Sequence, residues 1–254
     1  MSEERKKFSK KVCYRCDNPG TTREHFPPKS FFPKGGGLQL KTVRSCENHN
    51  NKKSHDDQYV LAQICMNAAR ADNAAKRSFL VSIEPQLKHS ERFKRLLADG
   101  AQRLPNGSYR YPVNINRINN FFDSLCCAIF FDKYGSHFNS DTHEMQHVYA
   151  NFHSDDREHN EQVELVFSSF NDFFEEFRER VEKFEADKID EVIYSNRIFA
   201  SDGKNLSITI AHTFFGVFEV ISLLTHKETS ENLSGLISKL TEESQGRMQS
   251  PSVP

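Results

Sequence analysis

The sequence predicts an α+β protein from three observations. Cysteine and histidine residues cluster in pairs within the first fifty residues. Later stretches repeat apolar residues at the three- and four-residue spacing of helices. Towards the C-terminus, short apolar runs alternate with turn residues, which is typical of antiparallel strands. Together these patterns predict a small metal-bound module at the N-terminus, followed by a helical and antiparallel-sheet C-terminal domain.

The paired residues have the spacing of a structural zinc site. Cys13 and Cys16 form the first pair, and Cys46 and His49 form the second, thirty residues later. Two such pairs can complete a tetrahedral shell of three thiolates and one imidazole, which selects Zn²⁺. The alternatives are a redox pair, a disulfide or unrelated cysteines, but a redox motif normally sits at a strand-to-helix junction and these flanks are basic and turn-rich. His55 could compete with His49 as the fourth ligand.

An acid and a histidine, Glu24 and His25, lie between the two pairs. In an extended segment their side chains would point to opposite faces, whereas in a bent one they could converge on a metal ion. The following Pro27 and Pro28 favour a bend. Histidine can take a proton from water near neutral pH, and a neighbouring carboxylate can hold a divalent cation. The dipeptide is therefore half of a hydrolytic site, or alternatively an exposed loop dipeptide.

These motifs resemble the HNH endonucleases, whose zinc-braced members carry a ββα-metal finger. The family pattern is a Cys-x-x-Cys pair, an Asp-His or Glu-His followed by proline, and a second ligand pair followed by asparagine. The phage junction-resolving nucleases of the endonuclease VII type have the same motif order. The family's middle asparagine would fall near residues 41–43, where this chain has none. The resemblance covers roughly residues 10 to 60 and rests on Cys13, Cys16, Glu24, His25, Cys46, His49 and Asn50.

The resemblance implies a role for each residue around the dipeptide. His25 would be the general base that deprotonates the attacking water. Glu24 and Asn50 would hold a catalytic Mg²⁺ or Mn²⁺, with His55 or Asp56 contributing through water. The ion would polarise the scissile phosphate and stabilise the leaving 3′-oxygen.

Charge is distributed as expected for a protein that binds nucleic acid, with DNA as the expected partner. Residues 1–60 contain 13 Lys and Arg against 7 Asp and Glu, whereas the remainder contains 21 against 28. A basic module on an acidic body is typical of a phosphate-backbone binder. Arg44, Lys52 and Lys53 could contact phosphates, although such lysines are as often a solvated helix face. Chance clustering with a basic N-terminal tail is the alternative.

Helical periodicity predicts three longer helices. Residues 56–80 carry one apolar stripe, and residues 116–134 are apolar enough to predict a buried helix. Residues 160–187 carry phenylalanines along one side. Phenylalanine stripes at helical spacing are more often part of a core than a base-stacking platform.

Strand signals occupy shorter runs. The pattern is weak over residues 85–112, which include a turn at 104–108. Residues 201–205 form a turn between two apolar runs, so we expect an antiparallel hairpin there. The predicted strands are 109–113, 148–152, 191–200, 206–213 and 215–224.

The other cysteines and histidines indicate packing rather than chemistry. Cys65, Cys126 and Cys127 lie in apolar helical contexts and are predicted to be buried thiols. Five histidines between residues 137 and 159 have spacings that match no compact ligand set, so we expect them at the surface or hydrogen-bonded. They are His137, His143, His147, His153 and His159.

The sequence predicts three segments. Residues 1–80 form the nuclease-like domain, 81–226 an α+β accessory domain, and 227–254 a short helix with a disordered tail. No apolar run approaches the roughly 18 residues of a membrane span, and the chain begins with charged residues, so we expect no membrane association and a cytoplasmic location. The accessory domain is expected to form a homodimer or to bind a regulatory protein.

Two functional hypotheses follow. In the first, the protein is a metal-dependent HNH-type endonuclease, of the kind used in phage defence or mobile-element biology. In the second, the zinc module is a non-catalytic nucleic-acid-binding or interaction element, and Glu24 and His25 are incidental.

Overall fold

The structure is a computed structural model that describes residues 12–32, 40–51, 54–68, 72–105, 109–153, 155–188, 191–201 and 207–230. It confirms the predicted mixture of helices and strands. The strands are β1 (Val12–Cys13), β2 (Cys16–Pro19), β3 (Thr22–His25), β4 (Thr42–Ser45), β5 (Gln102–Arg103), β6 (Tyr109–Arg110), β7 (His143–Tyr149), β8 (Glu182–Lys188), β9 (Glu191–Ala200), β10 (Ile208–Phe214) and β11 (Phe218–His226). The helices are α1 (Glu47–Asn51), α2 (Ser54–Ala68), α3 (Asn73–Ser78), α4 (Glu84–His89), α5 (Glu91–Ala98), α6 (Ile115–Tyr134) and α7 (Arg157–Glu176).

Two small antiparallel strand pairs build the N-terminal part. Strand β1 pairs with β2, and β3 pairs with β4. The two pairs are joined where the backbone N–H of Tyr14 donates to the carbonyl oxygen of Arg44 at 2.8 Å. Helix α1 follows β4 directly and lies against β3. The cysteine pair, the Glu24-His25 dipeptide and the second ligand pair therefore lie on adjacent elements.

A five-stranded antiparallel sheet forms the C-terminal part, in the order β7-β11-β10-β9-β8. Helix α6 packs against β7, against β4 and against α2. Its N-terminal cap is Asn114, whose side chain accepts a hydrogen bond from the backbone N–H of Arg117, and its C-terminal cap is Gly135, which has a positive φ of 65°. The prediction of a buried helix over residues 116–134 is confirmed, because ten of its side chains are buried.

One continuous hydrophobic core joins the two parts. Phe31, just after the Glu24-His25 strand, lies with its ring centroid 5.4 Å from Phe121 of α6 and 5.5 Å from Phe214 of β10. Burying an aromatic side chain of this size stabilises a fold by roughly 2 to 3 kcal/mol. The N-terminal part is thus packed on the sheet and on α6. The division into residues 1–80 and 81–226 stays a prediction.

A second, smaller cluster covers the other face of the sheet. Phe174 of α7 is buried against Phe199 of β9 and Ala211 of β10, with Phe170 and Phe173 packed around them. These phenylalanines are part of the core, as the sequence predicted.

Two predicted helices are too long. The helix expected over residues 56–80 stops at Ala68, and α3 starts afresh after Asp72, whose side chain accepts a hydrogen bond from the backbone N–H of Ala75 at 2.8 Å. An aspartate that caps a new helix interrupts the preceding one. The spacing of apolar residues alone does not reveal this interruption. The helix expected over residues 160–187 ends at Glu176, and its last part is strand β8. Pairing with β9 outweighs the local helical period there.

Several other predicted helix and strand boundaries differ from those in the structure. Residues 85–112 contain helices α4 and α5, which the sequence pattern did not predict, and the strand expected over 109–113 is limited to Tyr109–Arg110. The strand expected over 148–152 is His143–Tyr149. The strand over 191–200 is confirmed, and the strands expected over 206–213 and 215–224 are shifted by one to three residues, to Ile208–Phe214 and Phe218–His226. Most of the linking turn, and residues 231–254 of the predicted tail, lie outside the described residues.

A buried chain of polar groups runs between α6 and the sheet. His147 lies 3.1 Å from Asp123 and 2.8 Å from the hydroxyl of Ser222, and that hydroxyl lies 3.1 Å from His212. The other ring nitrogen of His212 lies 2.8 Å from the hydroxyl of Tyr194. Of the five clustered histidines, His147 is therefore hydrogen-bonded in the interior, which satisfies its polar atoms.

None of the helices in the described ranges is both long enough and apolar enough to cross a lipid bilayer.

Acid should destabilise this protein through His212. Burial, and secondarily His147, lowers the pKa of His212 to about 3 from the ordinary 6.5. Below pH ~6.5 the His212 imidazole is therefore protonated in the unfolded chain but stays neutral in the folded chain. The free energy of unfolding consequently falls as the pH drops from ~6.5 towards ~3. Between pH 7 and pH 5 this loss should be about 2 kcal/mol greater in the wild type than in His212→Gln, measured by urea unfolding.

The comparison with His212→Gln removes the contributions that both proteins share, including those of the cysteines and the other histidines. Parallel stability curves for the two proteins between pH 7 and pH 5 would contradict the assignment of this acid sensitivity to His212.

Candidate metal centre

Four side chains meet at one point between β1, β2 and α1. The ligand atoms of Cys13, Cys16, Cys46 and His49 all lie within 4.8 Å of one another. The Nδ1 atom of His49 lies 3.3, 3.5 and 3.4 Å from the sulfurs of Cys13, Cys16 and Cys46, respectively. The sulfurs of Cys16 and Cys46 are 3.9 Å apart. The structure thus brings together the four residues that the sequence predicted.

These separations fit a tetrahedral metal ion. Zn–S bonds of about 2.3 Å and Zn–N bonds of about 2.0 Å, at a tetrahedral angle, place sulfur and nitrogen about 3.5 Å apart and two sulfurs about 3.8 Å apart. Soft thiolate and imidazole donors in this geometry suit Zn²⁺ better than Mg²⁺ or Ca²⁺. The group could therefore hold a metal ion such as zinc.

The local backbone explains why the ligands converge. The turn between β1 and β2 pairs Cys13 with Cys16 across two residues, and the backbone N–H of Arg15 points to the Cys13 sulfur at 3.5 Å. Cys46 caps α1, because its carbonyl oxygen accepts hydrogen bonds from the backbone N–H groups of His49 and Asn50 at 3.2 and 3.0 Å. One turn and one helix start therefore supply all four ligands.

The electrostatic surroundings favour a thiolate at Cys46. Burial acts to raise the pKa of this thiol, but hydrogen bonds from the backbone N–H groups of His49 and Asn48 and from Cys13 and Cys16 outweigh burial, so its pKa lies below the ordinary value. Amide N–H groups directed at a sulfur stabilise the anionic form, which is the form that binds metals.

Residues far along the chain support the first ligand pair. The Nε2 atom of His137 donates to the carbonyl oxygen of Cys13 at 2.7 Å, and Arg15 donates to the hydroxyl of Ser124 in α6 at 2.9 Å. Tyr14, between the two cysteines, is 1% exposed. Sequence reasoning missed His137 and Ser124, because no local spacing links residues more than 100 positions apart.

The disulfide alternative finds no support in the described residues. All six cysteines are free, and the sulfurs of Cys16 and Cys46 are too far apart for a disulfide, whose S–S bond is about 2.0 Å. Cys65, Cys126 and Cys127 are buried, as predicted, and lie outside the four-residue group.

Glu24 and His25 lie at consecutive positions of β3 rather than at a bend. Glu24 pairs with Val43 and is 6% exposed, whereas His25 pairs with Thr42 and is half-buried. Because successive strand residues alternate, the two side chains leave opposite faces of the strand pair. The predicted bend comes one residue later, at the cis peptide bond between Phe26 and Pro27.

The surroundings of His25 are desolvated and cationic. Its pKa lies below the ordinary value because of burial first, then because of the positive charges of Lys29 and Arg23, with Glu24 acting in the opposite direction. The residue opposite His25 is Thr42, which stands in the segment where the HNH pattern would have its middle asparagine.

The remaining candidates lie on the helices that follow. Asn50 is half-buried on α1, the helix that packs on β3. Asp56 forms an ion pair with Arg117 at the start of α6. Lys52 and Lys53 lie outside the described residues, and so does the side chain of His55.

Replacing one ligand should remove the metal and unfold the module. In Cys46→Ser we expect the bound zinc to fall from about one ion per chain to near zero, because binding energy at a structural zinc site is folding energy. The thermal midpoint should fall by at least about 10 °C, since each kcal/mol is worth roughly 2 to 4 °C in a chain of this size. Elemental analysis and calorimetry measure both quantities.

The matched control is Cys65→Ala, which removes a buried thiol outside the group. It should keep its zinc at the wild-type level. Full zinc content in Cys46→Ser would show that these four residues do not form the metal site.

The chain matches no family model, no curated protein and no solved structure.

Proposed function

We propose that this protein is a metal-dependent endonuclease of the HNH type, which hydrolyses phosphodiester bonds in nucleic acid and has DNA as its expected substrate. The observation that carries the proposal is the order of elements around the metal centre. Strand β3 carries Glu24 and His25, β4 pairs with it, and α1 follows with His49 and Asn50 and packs back on β3. This order of strand, strand and helix supports a ββα-metal arrangement.

His25 is suited to the role of general base. Its lowered pKa keeps the imidazole neutral at pH 7, and a neutral imidazole can accept a proton from water. Its half-buried position on β3 limits, without blocking, access to solvent. In the proposed reaction it removes the proton from the water that attacks phosphorus.

Glu24 and Asn50 are the candidate ligands of the catalytic ion. A carboxylate and an amide oxygen are the hard donors that Mg²⁺ and Mn²⁺ prefer, and they lie on two elements in contact, β3 and α1. When bound, such an ion polarises the phosphate and stabilises the leaving oxygen. Glu24 is 6% exposed and pairs with Val43 of β4.

The separation of Glu24 and His25 on opposite sides of one strand is compatible with this division of roles. In phosphoryl transfer, the attacking and leaving oxygens lie roughly in line on opposite sides of phosphorus. His25 would act on the entering water, whereas Glu24 would help to hold an ion that acts on the leaving oxygen. The two side chains therefore do not need to converge on one atom.

One observation favours a second candidate function. Glu24 is only 6% exposed, and its charge lies near the buried Tyr14, whose pKa it helps to raise. A carboxylate in this position could be a structural group of the strand pair. In that case the module would bind nucleic acid without cutting it.

Cleavage assays distinguish a nuclease from a protein that binds nucleic acid without cutting it. Wild-type protein should cut plasmid DNA or RNA with added Mg²⁺ or Mn²⁺ and should stop when EDTA is added with the substrate. His25→Ala should lose about 10²- to 10⁴-fold in rate, the usual contribution of a general base. His159→Ala, an exposed histidine on α7, is the matched control and should cut like the wild type. Gel analysis of nicked and linear products gives the rates.

The outcome that excludes the nuclease is equally specific. If zinc-loaded wild type cuts neither DNA nor RNA with either cation, or if His25→Ala cuts as fast as the wild type, the catalytic assignment is wrong. Binding without cleavage would then favour the second candidate function.

A further inference from the structure

Four side chains share the outer face of the β3–β4 strand pair. Strand residues alternate between faces, so Arg23 and His25 project from the side opposite to the buried Glu24. The residues paired with them across the strands are Arg44 and Thr42. We call this set, Arg23, His25, Thr42 and Arg44, the His25 face.

The two arginines are directly opposite each other in the strand register. Side chains at directly opposed positions have Cβ atoms about 4.5 to 5.5 Å apart, and like charges there are destabilising. Within the described part of the chain, neither Arg23 nor Arg44 forms an ion pair with a carboxylate. By contrast, Arg110 and Arg117 are each paired with an aspartate. No ion pair among the described residues therefore offsets the repulsion between these two arginines.

The backbone under Arg44 is fixed by the metal centre. Its carbonyl oxygen accepts a hydrogen bond from Tyr14, which lies between the two ligands of the first pair. A Cβ atom at Gly20 would come within 2.5 Å of the Arg44 Cβ and 2.8 Å of the Val12 carbonyl oxygen. Only glycine therefore allows the turn after β2 to approach Arg44 so closely. The backbone and Cβ atom of Arg44 are thus positioned before any ligand binds.

A third cation extends the face towards His25. Lys29 is exposed in the turn that follows β3, and its charge acts on the His25 ring together with that of Arg23. The candidate general base is therefore bordered by positive charge on its own strand, and the neighbouring strand adds Arg44. Such a surface attracts an anion with several acceptor oxygens.

We propose that Arg23 and Arg44 form a clamp that binds a backbone phosphate of the nucleic acid next to the bond presented to His25. The location of the cleaved bond rests on the proposed function, whereas the phosphate clamp itself does not require cleavage. Two guanidinium groups side by side match the tetrahedral oxygens of a phosphodiester, and its negative charge would remove the repulsion between them. Binding of the phosphate therefore offsets the repulsion between Arg23 and Arg44 that is present in the free protein.

The test is DNA binding measured without added divalent cation, by fluorescence anisotropy of a labelled duplex. Arg23→Gln with Arg44→Gln should reduce the slope of log affinity against log salt by about 0.9, because the clamp neutralises one phosphate and each neutralised phosphate contributes about 0.9. Each substitution should also weaken binding roughly tenfold at low salt. The Arg23→Lys, Arg44→Lys protein keeps both charges, so it should keep the wild-type slope.

The matched control is Arg92→Gln with Arg95→Gln, two exposed arginines on α5. It changes the net charge equally but should leave the slope nearly unchanged. Zinc content and thermal midpoint of the clamp variant should equal or exceed those of the wild type, because a repulsion has been removed. Millimolar inorganic phosphate should compete only weakly, since a backbone-binding site gains from neighbouring contacts that free phosphate lacks.

The proposal is overturned if the clamp variant and the α5 control have the same salt slope, or if the clamp variant loses zinc or stability, which would make the arginines structural. Strong competition by inorganic phosphate would instead assign a free-phosphate site and also overturn it. If the wild type cleaves DNA and the clamp variant binds DNA as well as the wild type, the clamp proposal is wrong and the nuclease proposal is retained. If the clamp variant binds DNA more weakly than the wild type and no variant cleaves it, the nuclease proposal is wrong and the clamp proposal is retained.

Discussion

The convergence of three sulfurs and one imidazole is the constraint on which the N-terminal part depends. The β1–β2 turn and the start of α1 contribute two ligands each, so they must stay together for the group to exist. That requirement positions β4, which runs directly into Cys46, and therefore β3, which pairs with it. The short strands could not persist alone, because isolated two-stranded pairs are marginal in water. A bound metal ion would supply the missing stabilisation.

The same centre depends on the C-terminal part. His137 and Ser124 hold the backbone and side chains around Cys13, and Phe31 extends the core from the strand pair to α6 and the sheet. Loss of the metal should therefore weaken packing on the sheet as well as the module itself. This coupling is a physical reason why the N-terminal part is joined to a larger C-terminal part.

Strand alternation decides what the candidate catalytic residues can do. Because Glu24 is turned inwards and His25 outwards, the acid lies in a dry, fixed position near α1, whereas the histidine shares a cationic outer face with Arg23 and Arg44. An anionic substrate would meet the outer face first. The proposed nuclease and the proposed clamp both follow from this single alternation, but separate measurements test them.

The sequence alone determined the features that depend on interactions between residues close together along the chain. The ligand spacing identified all four metal-binding candidates, the helical period located α6, and strand β9 was placed at its observed limits. Contacts between distant residues decided the rest. Residues near Phe184 have a helical period but form β8, because the edge of β9 offers hydrogen bonds that a longer helix would forgo. Likewise, the His137 support, the buried His147–Ser222–His212 chain and the pairing of Arg23 with Arg44 exist only in the folded chain, since no spacing in a sequence encodes which distant side chains will meet.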